Sequence, residues 1–154
     1  MISPKLFDLL LFCAIALISL QLLSGIWLFI EKFGLTPSEL TLYFAGDEKN
    51  FIMPKSLEGL LETAVPHFLA ISTTIFVYGH FLLFTDVISQ NKKFLLISAL
   101  FIAAMIDIFS PFGIIYGFEL FAWTKVIAFW SFEFLMGLLL FVLFQAVFYR
   151  GAEA

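Results

Sequence analysis

Residues 62–84 read ETAVPHFLAISTTIFVYGHFLLF. The apolar run that starts at Ala64 and continues to Ile88 is longer than the roughly 20 residues that carry a helix across the hydrocarbon core of a bilayer. Its apolar residues are continuous rather than alternating, which predicts a helix and not a barrel strand. Inside it lie both histidines of the chain, His67 and His80.

Outward from this stretch, three more runs of the same kind appear at Leu6–Ile30, Phe94–Gly117 and Val126–Tyr149. Lipid has no water to satisfy the backbone, so each run must close its own hydrogen bonds as a helix. With 62% hydrophobic and 13% charged residues and a mean hydropathy of +1.07, the composition departs from soluble domains, where charge is about 25%. The expectation is an all-α integral membrane four-helix bundle, a single transmembrane domain over residues 1–154. The first run has one lysine before it and no small-residue cleavage pattern after it, so it is expected to be retained. A net charge of −4 argues against a nucleic-acid partner.

Residues 31–63 form the one sizeable segment outside the runs. TPSE at 36–39 has the pattern of a helix start, with Thr36 as cap, Pro37 in the first position and Glu39 reaching back. A second start at Ser56 predicts a pair of short interfacial helices, with Leu40, Tyr43 and Phe44 along the membrane surface. They would act as a lid over the bundle end or as a docking site. Pro66 should start or bend the second span. Trp27, Trp123, Trp130, Tyr43, Tyr116 and Tyr149 fall near span ends, as interfacial aromatic belts do. Lys5, Lys92, Lys93 and Arg150 flank one membrane face and Lys32, Lys49, Lys55 and Lys125 the other; the short basic flanks favour cytoplasmic termini, in a bacterial inner membrane.

At about 100° per residue, Thr74, Tyr78 and Thr85 share a face with His67, and His80 lies at about 220°. The polar arc predicts that both imidazoles face protein, with Phe68, Ile71, Ile75, Leu82 and Leu83 toward lipid. The other inward faces are predicted to carry Gln21, Ser24 and Gly25 on the first span; Ala103, Ala104, Asp107, Ser110 and Pro111 on the third; and Trp130, Glu133 and Gly137 on the fourth. Counted from one membrane face, Gln21, Thr74, Asp107, Ser110 and Glu133 come to similar depth. Charge in mid-bilayer costs about 2.5–3.5 kcal/mol on insertion scales, so these groups are expected to hydrogen-bond one another, Asp107 with Gln21 or Thr74, or to serve proton or quinone handling.

The candidate cofactor ligands are His67 and His80, about 20 Å apart along the helix axis, too far to share one metal. The single Cys13 and the absence of a His-x-x-x-His spacing leave no zinc pattern. Two histidines on one transmembrane helix resemble membrane-bound b-type cytochromes. That resemblance implies haem b held by His67 and His80 and electron transfer between a quinone pool and a partner protein. A single histidine at each level means that a bis-histidine haem would take its second ligand from another chain, whereas a His/Met haem would use Met105 or Met136 with His80.

Three functional readings follow. One is a redox subunit, in a homo-oligomer or a larger respiratory assembly; another is a non-catalytic accessory subunit of a membrane complex. The third is a proton- or quinone-handling bundle built on Asp107 and Glu133. A stand-alone enzyme and an alternating-access transporter fit the sequence less well.

Overall fold

The computed structural model describes residues 4–152, side chains at a few terminal positions excepted. Five helices follow in order: α1 Pro4–Phe33, α2 Pro37–Ala45, α3 Leu57–Leu83, α4 Gln90–Ile115 and α5 Leu120–Ala152, with a short 3-10 turn at Glu48–Asn50. Four of them are long and apolar enough to cross a membrane. The protein is thus an integral membrane helical bundle, as the continuous apolar runs require.

α4 and α5 are the inner helices, with more of their length buried than α1 or α3. The core between them and α3 is aliphatic, built on Ile75, Leu82, Leu100, Met136, Leu139 and Leu143. α1 packs on the outside of α5. One long-range polar tie secures it: the Tyr78 hydroxyl on α3 donates to the Ala14 carbonyl on α1 at 2.9 Å.

α2 is begun by the expected capping box, with Thr36 accepting from the Glu39 amide and the Glu39 carboxylate accepting from the Thr36 amide. It ends at Gly46, whose φ of 76° suits glycine. Leu40 and Phe44 do not lie along the membrane surface as expected. They are buried in a second cluster with Phe29, Ile114 and Phe129, where Phe29 and Phe129 stack at 3.8 Å between centroids. α2 therefore plugs the end of the bundle. The second expected surface helix is absent as a separate unit, because the start at Ser56 runs straight into α3 and Pro66 lies inside that helix without ending it.

α3 stops at Leu83, five residues before the expected limit. Its end is completed by a neighbour. Lys93 of α4 is 1% exposed, and its ammonium donates to the Leu83 carbonyl at 3.3 Å and to the Thr85 carbonyl. The last carbonyls of a helix lack intrahelical partners, and a cation there also suits the negative end of the helix.

Candidate functional site

α4 carries Asp107 and, four residues later, Pro111. In a helix the amide at position i+4 would donate to the Asp107 carbonyl, and proline has no such amide. The freed carbonyl faces α5. There the Lys125 ammonium donates to it at 3.0 Å and to the Asp107 carboxylate at 2.6 Å. This buried ion pair joins the two inner helices, and it is the only ion pair among the described residues. Beside it, the Ser110 hydroxyl donates to the Ile106 carbonyl at 2.5 Å and lies 3.3 Å from the Thr124 hydroxyl.

The pair forms part of the lining of a cleft of about 280 Å³ bounded by α2, α3 and α4. Leu60, Ala64, Ile108 and Phe112 give it apolar walls; His67, Tyr43, Lys32 and Lys55 add polar groups. His67 is exposed on the α3 surface, and its Nδ1 lies 2.8 Å from the Thr63 carbonyl. A carbonyl can only accept, so Nδ1 carries the proton. In the neutral ring, Nε2 then presents a lone pair.

The expected inward positions of the histidines are not observed. His80 is also exposed, with its ring against Phe76 at 6.2 Å and Phe84 at 5.0 Å. The reason is visible on the α3 wheel. The buried residues Ile75, Tyr78, Gly79 and Leu82 span about 20° to 120° from His67. His67 sits at one margin of that seam and His80 on the far side. Ile75 and Leu82, expected to face lipid, are fully buried. Aliphatic packing onto the inner helices has set the rotation of α3, not the polar stripe. Met136 lies in the core and Met105 is exposed; the ring contacts of His80 are to neither.

The five polar groups expected at one depth are divided around the bundle. Thr74 donates to the Ala70 carbonyl on its own helix and shares a small crevice with Gln21, so neither is the partner of Asp107. Glu133 is not in this cleft but lines an open apolar groove between α1 and α5 with Ile15, Ser19, Leu22 and Gly137. Its Oε1 lies where a side chain on Gly25 would come within 3.6 Å. Its buried Oε2 has no hydrogen-bond partner among the described residues. Lys125, which the sequence reading places outside the fourth span, is the cleft residue that reading does not pick out. A lysine six residues into an apolar helix, with a carboxylate on the preceding helix, is the signal that could have found it.

Residues 34–154, covering α2 to α5, match the family model Aq_1264_TM, a transmembrane helical domain. No curated protein and no solved structure matches. The matched segment holds Tyr43, Lys55, His67, Asp107, Lys125 and Glu133, and takes in more than three quarters of the sequence. The chain belongs to the Aq_1264_TM family of transmembrane helical domains.

Proposed function

We propose that this protein is a quinone-handling subunit of a membrane electron-transfer assembly, with the quinone head in the cleft of α2, α3 and α4. The observation that carries this reading is that one cleft at the end of the bundle combines apolar walls with His67 and the Asp107–Lys125 pair. Ligand pockets commonly combine mostly apolar walls with a few convergent polar groups. A quinone takes up two electrons and two protons to become a quinol. The Lys125 ammonium can donate to one carbonyl oxygen, His67 Nε2 can accept from a quinol hydroxyl, and His67 and Asp107 are groups able to exchange the protons with the membrane surface. The electrons would pass to or from a redox centre in a partner protein. Glu133, which lines the groove between α1 and α5, is not among the residues of this cleft.

A short-chain azidoquinone is the direct test. Photolabelling of the purified chain should concentrate on residues 59–67 and 107–112, and His67→Ala or Asp107→Asn should reduce it roughly fivefold, the loss of one hydrogen bond of about 1 kcal/mol. Labelling spread over all lipid-facing helices would sink the reading and leave the accessory-subunit role.

A second reading has one observation in its favour. The Nδ1 bond to a backbone carbonyl is the arrangement that fixes a metal-ligating histidine with Nε2 outward. Haem b could then lie between chains, because one chain offers a single outward histidine at each level. Reconstitution with haem should give a Soret band that His67→Ala or His80→Ala removes; retention of the band in both variants would exclude these ligands. Four crossings put both termini on one side, which this proposal assigns to the cytoplasm of a bacterial cell; labelling of cysteines placed at Lys92 and Lys49 would expose an inverted orientation.

A further inference from the structure

At the mouth of the cleft, two ammonium groups converge on one phenol ring. Lys32, in the last turn of α1, has its Nζ 5.7 Å from the Tyr43 centroid and 5.6 Å from that of Phe33. Lys55, just ahead of α3, has its Nζ 4.7 Å from Tyr43, and its own amide is tied to the Phe44 carbonyl at 2.9 Å. Such cation–π contacts hold an ammonium in place without neutralising it. Neither lysine has an ion pair among the described residues, since the pair at Lys125 and Asp107 stands alone. The mouth therefore presents two ammonium groups outside any ion pair among the described residues, at the level where membrane-crossing helices end.

Next to Lys55 in sequence is a tip of the opposite character. Asp47 and Ile52 exchange two backbone bonds of 2.9 Å. The Asp47 carboxylate accepts from the Lys49 amide at 2.9 Å and the Asn50 side chain at 2.7 Å. This locked turn forces Phe51 into the left-handed region at φ 56°, which a bulky residue rarely adopts. It leaves Phe51 93% and Met53 83% exposed. A strained backbone that holds an aromatic ring outward calls for a function at that ring.

We infer that the mouth of the cleft binds the phosphate of an anionic phospholipid between Lys32 and Lys55, with the lipid's acyl chains beside Phe51 and Met53. Phosphate at the two ammoniums that share the Tyr43 ring and hydrocarbon at the tip just before Lys55 in sequence would be the two halves of one amphiphile. Anionic lipid surfaces attract basic residues just outside a span. The site is outside the hydrogen-bonding set assigned to a quinone and stands without it.

The test is native mass spectrometry of the purified full-length chain in neutral detergent, without quinone, titrated with phosphatidylglycerol or phosphatidylcholine. The wild type should prefer phosphatidylglycerol on the order of tenfold, the scale expected for two lysines near a charged surface. The Lys32→Gln, Lys55→Gln double variant should bring the two lipids to near equality, while Lys92→Gln, an exposed lysine at the other membrane face, should change nothing. Circular dichroism melting of each variant separates lost binding from lost folding. Phe51→Ser should weaken both lipids about equally. Equal binding of the two lipids by the wild type, or a preference that survives in the double variant, overturns the inference. Displacement of the lipid by millimolar inorganic phosphate would show a free-anion site instead, and unchanged lipid affinity in Phe51→Ser would remove the acyl half and leave the tip to a protein partner.

Discussion

Each of the two inner helices carries one acid, Asp107 on α4 and Glu133 on α5, and their surroundings differ in kind. Asp107 points between the inner helices, where a proline has released its backbone carbonyl and Lys125 donates both to that carbonyl and to one carboxylate oxygen. Glu133 points between α5 and the peripheral α1, and one of its oxygens is buried without a partner. Both occur in sequence as single acids in a greasy helix. Which one becomes a structural joint depends on what the next helix offers at that azimuth, which depth along the axis does not determine.

The largest expected effect comes from Lys125→Gln. Removing one member of a buried pair leaves the other charge uncompensated and typically costs about 3–5 kcal/mol. Thermal unfolding in detergent should show that loss, and the Asp107→Asn, Lys125→Gln double variant should recover much of it; an additive double variant would mean that the pair is not coupled. Next, Glu133→Leu should stabilise the isolated protein by roughly 1 kcal/mol, because it deletes a buried oxygen that has no bond to lose. A drop comparable to that of Lys125→Gln would show that Glu133 is paired after all and would erase the contrast. Tyr78→Phe removes a neutral bond between α3 and α1 and should cost about 1 kcal/mol, seen as faster proteolysis of α1 before global unfolding.

The smallest effect lies outside the membrane. Hydrogen bonds from the Thr36 hydroxyl, then from the Thr36 and Leu35 amides, hold the Glu39 carboxyl below the usual carboxylate range. A lowered value in the folded state means that this stabilisation is present above the ordinary carboxylate value and is lost as pH falls through the lowered one. Hydrogen exchange of the α2 amides should therefore speed up in acid, and Glu39→Gln should flatten that dependence. An acid response identical in Glu39→Gln would assign the effect to another group.

Four spans were legible because continuous apolarity and backbone satisfaction leave few alternatives, and the cap at Thr36 was legible because it is a local hydrogen-bond pattern. The limits of α3 and α5 were less so. Hydropathy trims a span near its charged end, and so it leaves Lys125 out of α5 and Leu57 to Thr63 out of α3, although both helices continue through those residues. The site was legible in its members Asp107 and His67 but not in its pairing. A rotation deduced from a polar stripe fails on α3 because Ile75, Tyr78 and Leu82 gain more by packing on α4 and α5 than His80 loses by facing outward. The sequence places Pro111 on the inward face of the third span; its effect on the carbonyl four residues earlier, which gives Lys125 its second acceptor, is not part of that reading.

Lys93 has a consequence for how the chain is made. Its ammonium closes the carboxyl end of α3 from a position ten residues downstream of Leu83, on the next helix. During synthesis the third helix thus emerges with a frayed end, and the join becomes stable only when the opening turn of its successor has left the ribosome. The two helices mature as a hairpin, and a nascent chain arrested before residue 93 should show α3 with an unprotected last turn that a chain arrested after α4 no longer has.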